Sequence, residues 1–297
     1  MSWLQLILET DADRAPHFAA LLEQSEAAAV TFQDSADQPL YEPPPGATPL
    51  WQRTRVVALY PAATDTAPII AALALAIAPE ALPAWRIEAL EERDWNRAWM
   101  EGFAPQRYGE RLWIVPSWHT PPEPHAVNLL LDPGLAFGTG SHPTTRLCLE
   151  WLDRHPPTGA TLIDYGCGSG ILALAAAALG AAEVHGVDND PQALLATRDN
   201  RDRNATAGGE QTPPISTWLP EQLPPIQADV VIANILANPL IELADRLCAR
   251  LRPGGQLVLS GILAEQADQV ITAYAGAIHF QPIAQLDEWV RLDGVRY

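Results

Sequence analysis

Across 297 residues, 36 Asp and Glu face 18 basic residues, all arginine, for a net charge of −18. That length suits one small and one medium domain, and an apolar fraction of 48% excludes a disordered acidic chain. The negative balance argues against direct nucleic-acid or anionic-membrane binding and favours a basic or neutral partner. The lack of lysine fits either genomic base composition or a high-salt cytoplasm, and decides no chemistry. Cys148, Cys167 and Cys248 are too sparse and too few for a disulfide framework or a paired-ligand zinc site. The start, MSWLQLILETDADR, lacks a signal-peptide pattern, and the apolar runs 67–79 and 171–182 fall short of the ~20 residues of a membrane span. A cytoplasmic protein is expected.

In chain order, residues 3–8 alternate as a strand and 14–28 read as a helix, followed by strands at 29–34, 54–60 and 85–91 and a helix at 66–78. This β-α-β-β-α-β order predicts a ferredoxin-like split unit, with the proline-rich stretch 36–50 as a loop. Residues 94–102 predict a short helix with Asp94 as cap and Trp95 and Trp99 on one packing face. Strands are predicted at 111–115 and 127–131. From about 160 the pattern alternates: TLIDY, helix 171–179, VHGVD, helix 191–203, DVVIAN, helix 239–251, LVLSG, helix 264–276. Near-continuous apolar strands between helices predict a doubly wound parallel sheet. Two further strands are expected within 278–297, as an antiparallel edge.

The chemistry concentrates where Leu162-Ile163-Asp164-Tyr165-Gly166-Cys167-Gly168-Ser169-Gly170 leaves a strand and enters an apolar helix. Glycines there let a ligand approach the backbone, and Asp188, closing the next strand, can accept hydrogen bonds from both ribose hydroxyls. Dinucleotide enzymes use Gly-x-Gly-x-x-Gly; here Gly166, Gly168 and Gly170 are spaced Gly-x-Gly-x-Gly, with Asp164 two residues earlier. That carboxylate would repel a pyrophosphate but suits a ligand bearing an ammonium and a sulfonium. S-adenosylmethionine is such a ligand, so a methyltransferase reading leads over a nicotinamide-dependent oxidoreductase or a non-catalytic binding module.

A second glycine cluster, 132–145, lacks the Lys-Ser/Thr pair of a phosphate loop. It can fold over the cofactor, with Thr139 or Thr145 as candidates for the methionine carboxylate; Thr144 or Thr145 is otherwise a helix cap. His142 is solitary, so no metal site is assigned. The strand 230–234 ends in Asn234 at the carboxyl edge of the sheet, where such folds bind ligands. Its amide oxygen and the Ala233 carbonyl can accept the N–H groups of an amine and aim its lone pair at a methyl group.

With DWNRAWMEGF, GERLWIVPSW, LDPGLAFGTGSHPTT, LIDYGCGSGILALAA, GVDNDPQAL and VVIANILANPL in view, the chain resembles the bacterial methyltransferase family that modifies large-subunit ribosomal protein eleven (the PrmA family). The resemblance implies a ferredoxin-like substrate-recognition domain at 1–92, a linker helix at 93–105 and a seven-stranded methyltransferase domain at 106–297. It implies trimethylation of lysine ε-amines and of the N-terminal α-amine, with S-adenosylmethionine contacts at Thr145, Gly166, Asp188 and Asn234. Asn238 stands where that family often has a small residue. A monomer is expected, and the alternative substrate is another protein or a small-molecule amine.

Overall fold

The computed structural model describes residues 3–36, 38, 47–90, 103–132, 140–208 and 215–297, the side chains of 206–208 aside. The chain divides into two compact units, Met1–Met100 and Glu101–Tyr297. The helix expected at 94–102, with Asp94, Trp95 and Trp99, lies outside the described residues.

The first unit runs β1 (Trp3–Asp11), α1 (Ala15–Gln24), β2 (Ala29–Asp34), β3 (Arg53–Pro61), α2 (Ala67–Ala76) and β4 (Trp85–Leu90). The strands form an antiparallel sheet in the order β2-β3-β1-β4, the ferredoxin-like arrangement. Register sets Leu6 opposite both Ala58 and Ile87, so Leu6, Leu8, Val56 and Ala58 share the face that buries Phe18 and Leu22 of α1 and Leu73 of α2. The helix expected over 14–28 stops at Gln24, because Glu26 takes a left-handed conformation (φ 63°) that a helix cannot continue.

The second unit opens with β5 (Gln106–Tyr108), β6 (Leu112–Val115) and β7 (Val127–Leu130), a three-stranded sheet in that order. Next come α3 (Pro143–Arg154), β8 (Thr161–Tyr165), α4 (Ile171–Ala178), β9 (Glu183–Val187), α5 (Pro191–Gly208), β10 (Ile215–Trp218) and β11 (Ala228–Asn234). The chain continues through α6 (Ala237–Glu242), α7 (Ala244–Arg250), β12 (Leu251–Leu263), α8 (Ala267–Tyr274), β13 (Ile278–Phe280), β14 (Ala284–Leu286) and β15 (Trp289–Arg296). Seven strands lie in the order β10-β9-β8-β11-β12-β15-β13, and β14 adds to β15 as an eighth. The first five are parallel; β15 runs antiparallel between β12 and β13.

Alternation along the strands builds a core on each face. Leu162, Val184, Val230, Ile232 and Val258 pack beneath α3 and α4. Ile163, Val187, Val231, Ala233, Leu257 and Leu259 pack beneath α6, α7 and α8. The all-apolar α4 is buried along nearly its whole length, as its sequence ILALAAAA requires.

Three expectations are corrected. The helix read over 239–251 is two, broken at Leu243, which closes α6 and opens α7. The strand read at LVLSG extends over 251–263, but its ladder is interrupted: Leu251 pairs with Ala228 and pairing resumes at Gln256 with Val230, so Pro253, Gly254 (φ 76°) and Gly255 keep their turn chemistry as a bulge. The closing stretch holds three strands, not two.

Candidate active site

The chain leaves β8 toward β9 on one side of the sheet, while β11 lies on the other. The strand order reverses between β8 and β11, which opens a crevice at their carboxyl ends. The candidate residues collect around it.

At the end of β8 the glycine loop is laced to β9. Gly166 and Cys167 donate their N–H groups to Val187 O at 2.7 and 3.0 Å, and Gly168 N donates to Asp188 Oδ2 at 2.9 Å. The other Asp188 oxygen accepts from Asp190 N at 3.0 Å, so both carboxylate oxygens are held by backbone while the residue stays half-buried at the rim. Gly166 (φ 81°) has Ile235 packed where a Cβ would stand, and Gly170 (φ 80°) has Thr197 at 2.8 Å from that position. Any side chain there would be strained and would collide, so packing alone already requires glycine at both positions.

Asp164 lies one residue before the end of β8 and is 1% exposed. Its Oδ2 accepts from Ala173 N at 3.0 Å, in the first turn of α4, whose cap Gly170 has no side chain to offer. Its Oδ1 is buried, with no hydrogen-bond partner among the described residues. Burial pushes its pKa up to about 7, the Asp188 charge adds to the rise, and the Ala173 N–H opposes it. A sealed carboxylate with one oxygen unsatisfied, beside a glycine cradle and a second carboxylate, fits a cationic nucleoside and does not fit a pyrophosphate.

Across the crevice, Asn234 ends β11 half-buried, and Ala233 before it is fully buried opposite Leu259. Asn234 Nδ2 donates to Thr145 Oγ1 at 3.2 Å, and Thr145 is 3% exposed. With the nitrogen turned to Thr145, the amide oxygen has no partner among the described residues. Thus the fold brings together Asp164, Gly166, Gly168, Gly170 and Asp188 on one side, and Thr145 with Asn234 on the other. Thr139 lies outside the described residues.

Neither Thr144 nor Thr145 caps α3. His142 does so, its Nδ1 accepting Thr144 N–H at 3.4 Å and lying 2.8 Å from Thr144 Oγ1. Its ring meets Trp289 edge-on at 4.9 Å, and burial lowers its pKa, keeping the accepting form. Pro143 at the first helical position was the available signal, since the residue before such a proline is the cap.

Other supporting residues carried no sequence signal of this kind. Tyr108, fully buried and with its pKa raised to about 12 by burial, donates to Gly140 O at 2.8 Å; Asp132 accepts from Ser117 N at 2.7 Å. These contacts fasten both flanks of the 133–139 stretch. On α5, Thr197 and Asn200 donate to the carbonyls of Gly168 and Ser169 at 3.1 and 2.9 Å, and Asn204 pairs with the backbone of Leu130. Their i, i+3, i+7 spacing puts three polar side chains on the buried face of a helix, which a search for polar periodicity would find. Among the described residues, no cluster of three or more His, Cys, Asp or Glu could hold a metal ion, and no helix is long and apolar enough to cross a membrane.

Comparison with known proteins agrees over the whole chain. The family model described as Ribosomal protein L11 methyltransferase (PrmA) matches residues 2–297. Proteins named ribosomal protein L11 methyltransferase from Ectopseudomonas mendocina and Azotobacter vinelandii are 53% and 54% identical over 296 residues, covering 100% of each chain. The crystal structure of a ribosomal protein L11 methylase from Lactobacillus delbrueckii subsp. bulgaricus superimposes with a TM-score of 0.58 at 29% identity, covering 65% of this chain and 98% of its own.

Proposed function

The chain belongs to the ribosomal protein L11 methyltransferase (PrmA) family, and from that premise we propose that it transfers methyl groups from S-adenosylmethionine to lysine ε-amines and the N-terminal α-amine of large-subunit ribosomal protein eleven. When bound, S-adenosylmethionine supplies a methyl group on a positively charged sulfur, which departs with the C–S electron pair as a neutral thioether. Gly166 and Gly168 would give it backbone approach, Asp188 would accept from its ribose hydroxyls, and the buried Asp164 would supply negative charge beneath its cationic end. The observation that carries the reading is this Asp164 carboxyl, sealed beneath the crevice that holds Asn234 and short of one hydrogen bond among the described residues.

The amide oxygen of Asn234 accepts an N–H of the incoming amine, and Thr145 fixes the amide so that the lone pair points one way. The nitrogen forms the new C–N bond and sheds its proton to water. Among the described residues, no titratable side chain hydrogen-bonds Asn234 or Thr145. Exposing the lone pair of an ordinary lysine, pKa ~10.4, costs roughly 4–5 kcal/mol at neutral pH, against about 1 kcal/mol for an α-amine near 8. A dry pocket beside a positive charge lowers the first figure by disfavouring the ammonium.

Charge supports a basic protein substrate. Residues 1–105 carry 15 acidic and 6 basic residues, net −9, on about half the length that carries the other −9. Within this reading residues 1–92 recognise the ribosomal protein, 93–105 link, and 106–297 perform the transfer, in a cytoplasmic monomer without nucleic-acid contact. The test is incubation of the full chain with labelled S-adenosylmethionine and the purified ribosomal protein, followed by peptide mass mapping. Mass gains in multiples of one methyl on lysines and the N-terminus are expected. Label only on small molecules, or none, overturns the proposal.

A further inference from the structure

A cleft of about 510 Å³ lies between α3 and the β14–β15 hairpin. The helix supplies Arg146, Leu147 and Glu150, and the hairpin Gln285, Leu286 and Asp287. At 3.6 residues per turn these α3 positions face away from Thr145, so the cleft lies on the opposite side of α3 from the candidate active site.

The charges lining it are not equivalent. Arg146 sits 4.8 Å over the Tyr108 ring and 3.4 Å from Glu150, which also meets Arg154 at 3.5 Å. Glu150 is thus shared between two arginines and offers no spare negative charge. Asp287 is different: it is exposed, and among the described residues its carboxylate makes no hydrogen bond or ion pair. It sits at the hairpin tip in a left-handed conformation (φ 53°), and Gln285 Nε2 donates to its backbone oxygen at 2.8 Å, which leaves the Gln285 side-chain oxygen free to accept. Leu147 and Leu286 provide an apolar floor. An apolar floor ending at an uncompensated carboxylate and an amide oxygen matches a long cationic side chain, whose stem packs while its head stays polar. The volume is within the roughly 300–1,000 Å³ typical of ligand clefts.

We propose that this cleft seats a lysine or arginine side chain of the substrate protein, on a residue flanking the amine to be methylated. The methyltransferase unit then reads basic sequence context itself. This rests on the protein-substrate reading above.

The test uses full-length Asp287→Asn and Asp287→Gly, since both replacements tolerate a left-handed backbone and keep the turn. Calorimetry gives the Kd for the unmodified ribosomal protein and for S-adenosylmethionine, and initial rates give KM and kcat. Both variants should raise the Kd and KM for the ribosomal protein roughly three- to tenfold at low salt, less at high salt, with kcat and the cofactor Kd unchanged. Asp287→Arg should raise them further. Unchanged Kd and KM in all three variants, or a fall in kcat alone, overturns the proposal. If the unaltered protein binds S-adenosylmethionine but neither binds nor methylates the ribosomal protein, the protein-substrate reading itself fails, and this inference with it.

Discussion

The two sides of the crevice are built on opposite plans. On the β8–β9 side, carboxylates are committed: Asp188 spends both oxygens on backbone N–H groups at the rim, and Asp164 is sealed beneath with one oxygen satisfied. On the β11 side the polar group is neutral, an amide held by one hydroxyl and open at its oxygen. Carboxylates, ionised or able to ionise beside a positive charge, are suited to holding a cation, and a neutral acceptor is suited to aiming an amine without trapping it as an ammonium. Under the proposed function, the difference predicts that binding and turnover are separable by residue.

The sharpest attempt to break that division is Asn234→Ala. If Asn234 only aims the amine, kcat should fall about 10²–10⁴-fold, the cost of a misdirected nucleophile, while the S-adenosylmethionine Kd measured by calorimetry moves little. A comparable loss of cofactor affinity would put Asn234 on the binding side. Next in size, Asp188→Ala removes a charged acceptor and should weaken the cofactor by roughly 10- to 100-fold, with kcat at saturation largely kept. A collapse of saturated kcat would show that the two sides are one unit.

How much of this the amino-acid sequence discloses follows from where each feature draws its cause. Strand β2 and the run TLIDY are legible because short-range alternation and apolar continuity decide them locally. Gly166 and Gly170 are legible because only glycine takes positive φ against Ile235 and Thr197. The start of β12 is not legible: Pro253, Gly254 and Gly255 signal a break, which the structure keeps as a bulge, and only the partner Ala228 on β11 draws Leu251 beyond it into the strand. The same holds for Arg291, buried 6% exposed, which donates to Leu147 O at 3.0 Å across 144 residues and pairs with Asp293 at 2.9 Å. No spacing connects Arg291 with Leu147. Asp164 is intermediate, since its motif is visible but its burial, and so its raised pKa, depends on α4 closing over it.

That burial supplies the subtlest test. With its folded pKa near 7, well above the ordinary carboxylate value of 3.8, Asp164 stays protonated in the free protein at pH 6, whereas in the unfolded chain it is ionised. The folded state therefore binds the extra proton, and stability is greatest below the unfolded pKa and falls as pH rises toward about 7. The full effect is on the order of 4 kcal/mol. Asp164→Asn should flatten that slope in denaturant unfolding of the cofactor-free protein. A cation in the crevice reverses the preference by favouring the ionised carboxylate. S-adenosylmethionine affinity should thus strengthen about tenfold from pH 5.5 to 7.5, below the range near 8 where an α-amine titrates, with proton release visible as a buffer-dependent heat. In Asp164→Asn the affinity should be nearly flat with pH, the two proteins differing least at pH 5.5. An equal pH slope in both would mean that another group takes up the charge, and the division between a binding side and an aiming side would have to be redrawn around it.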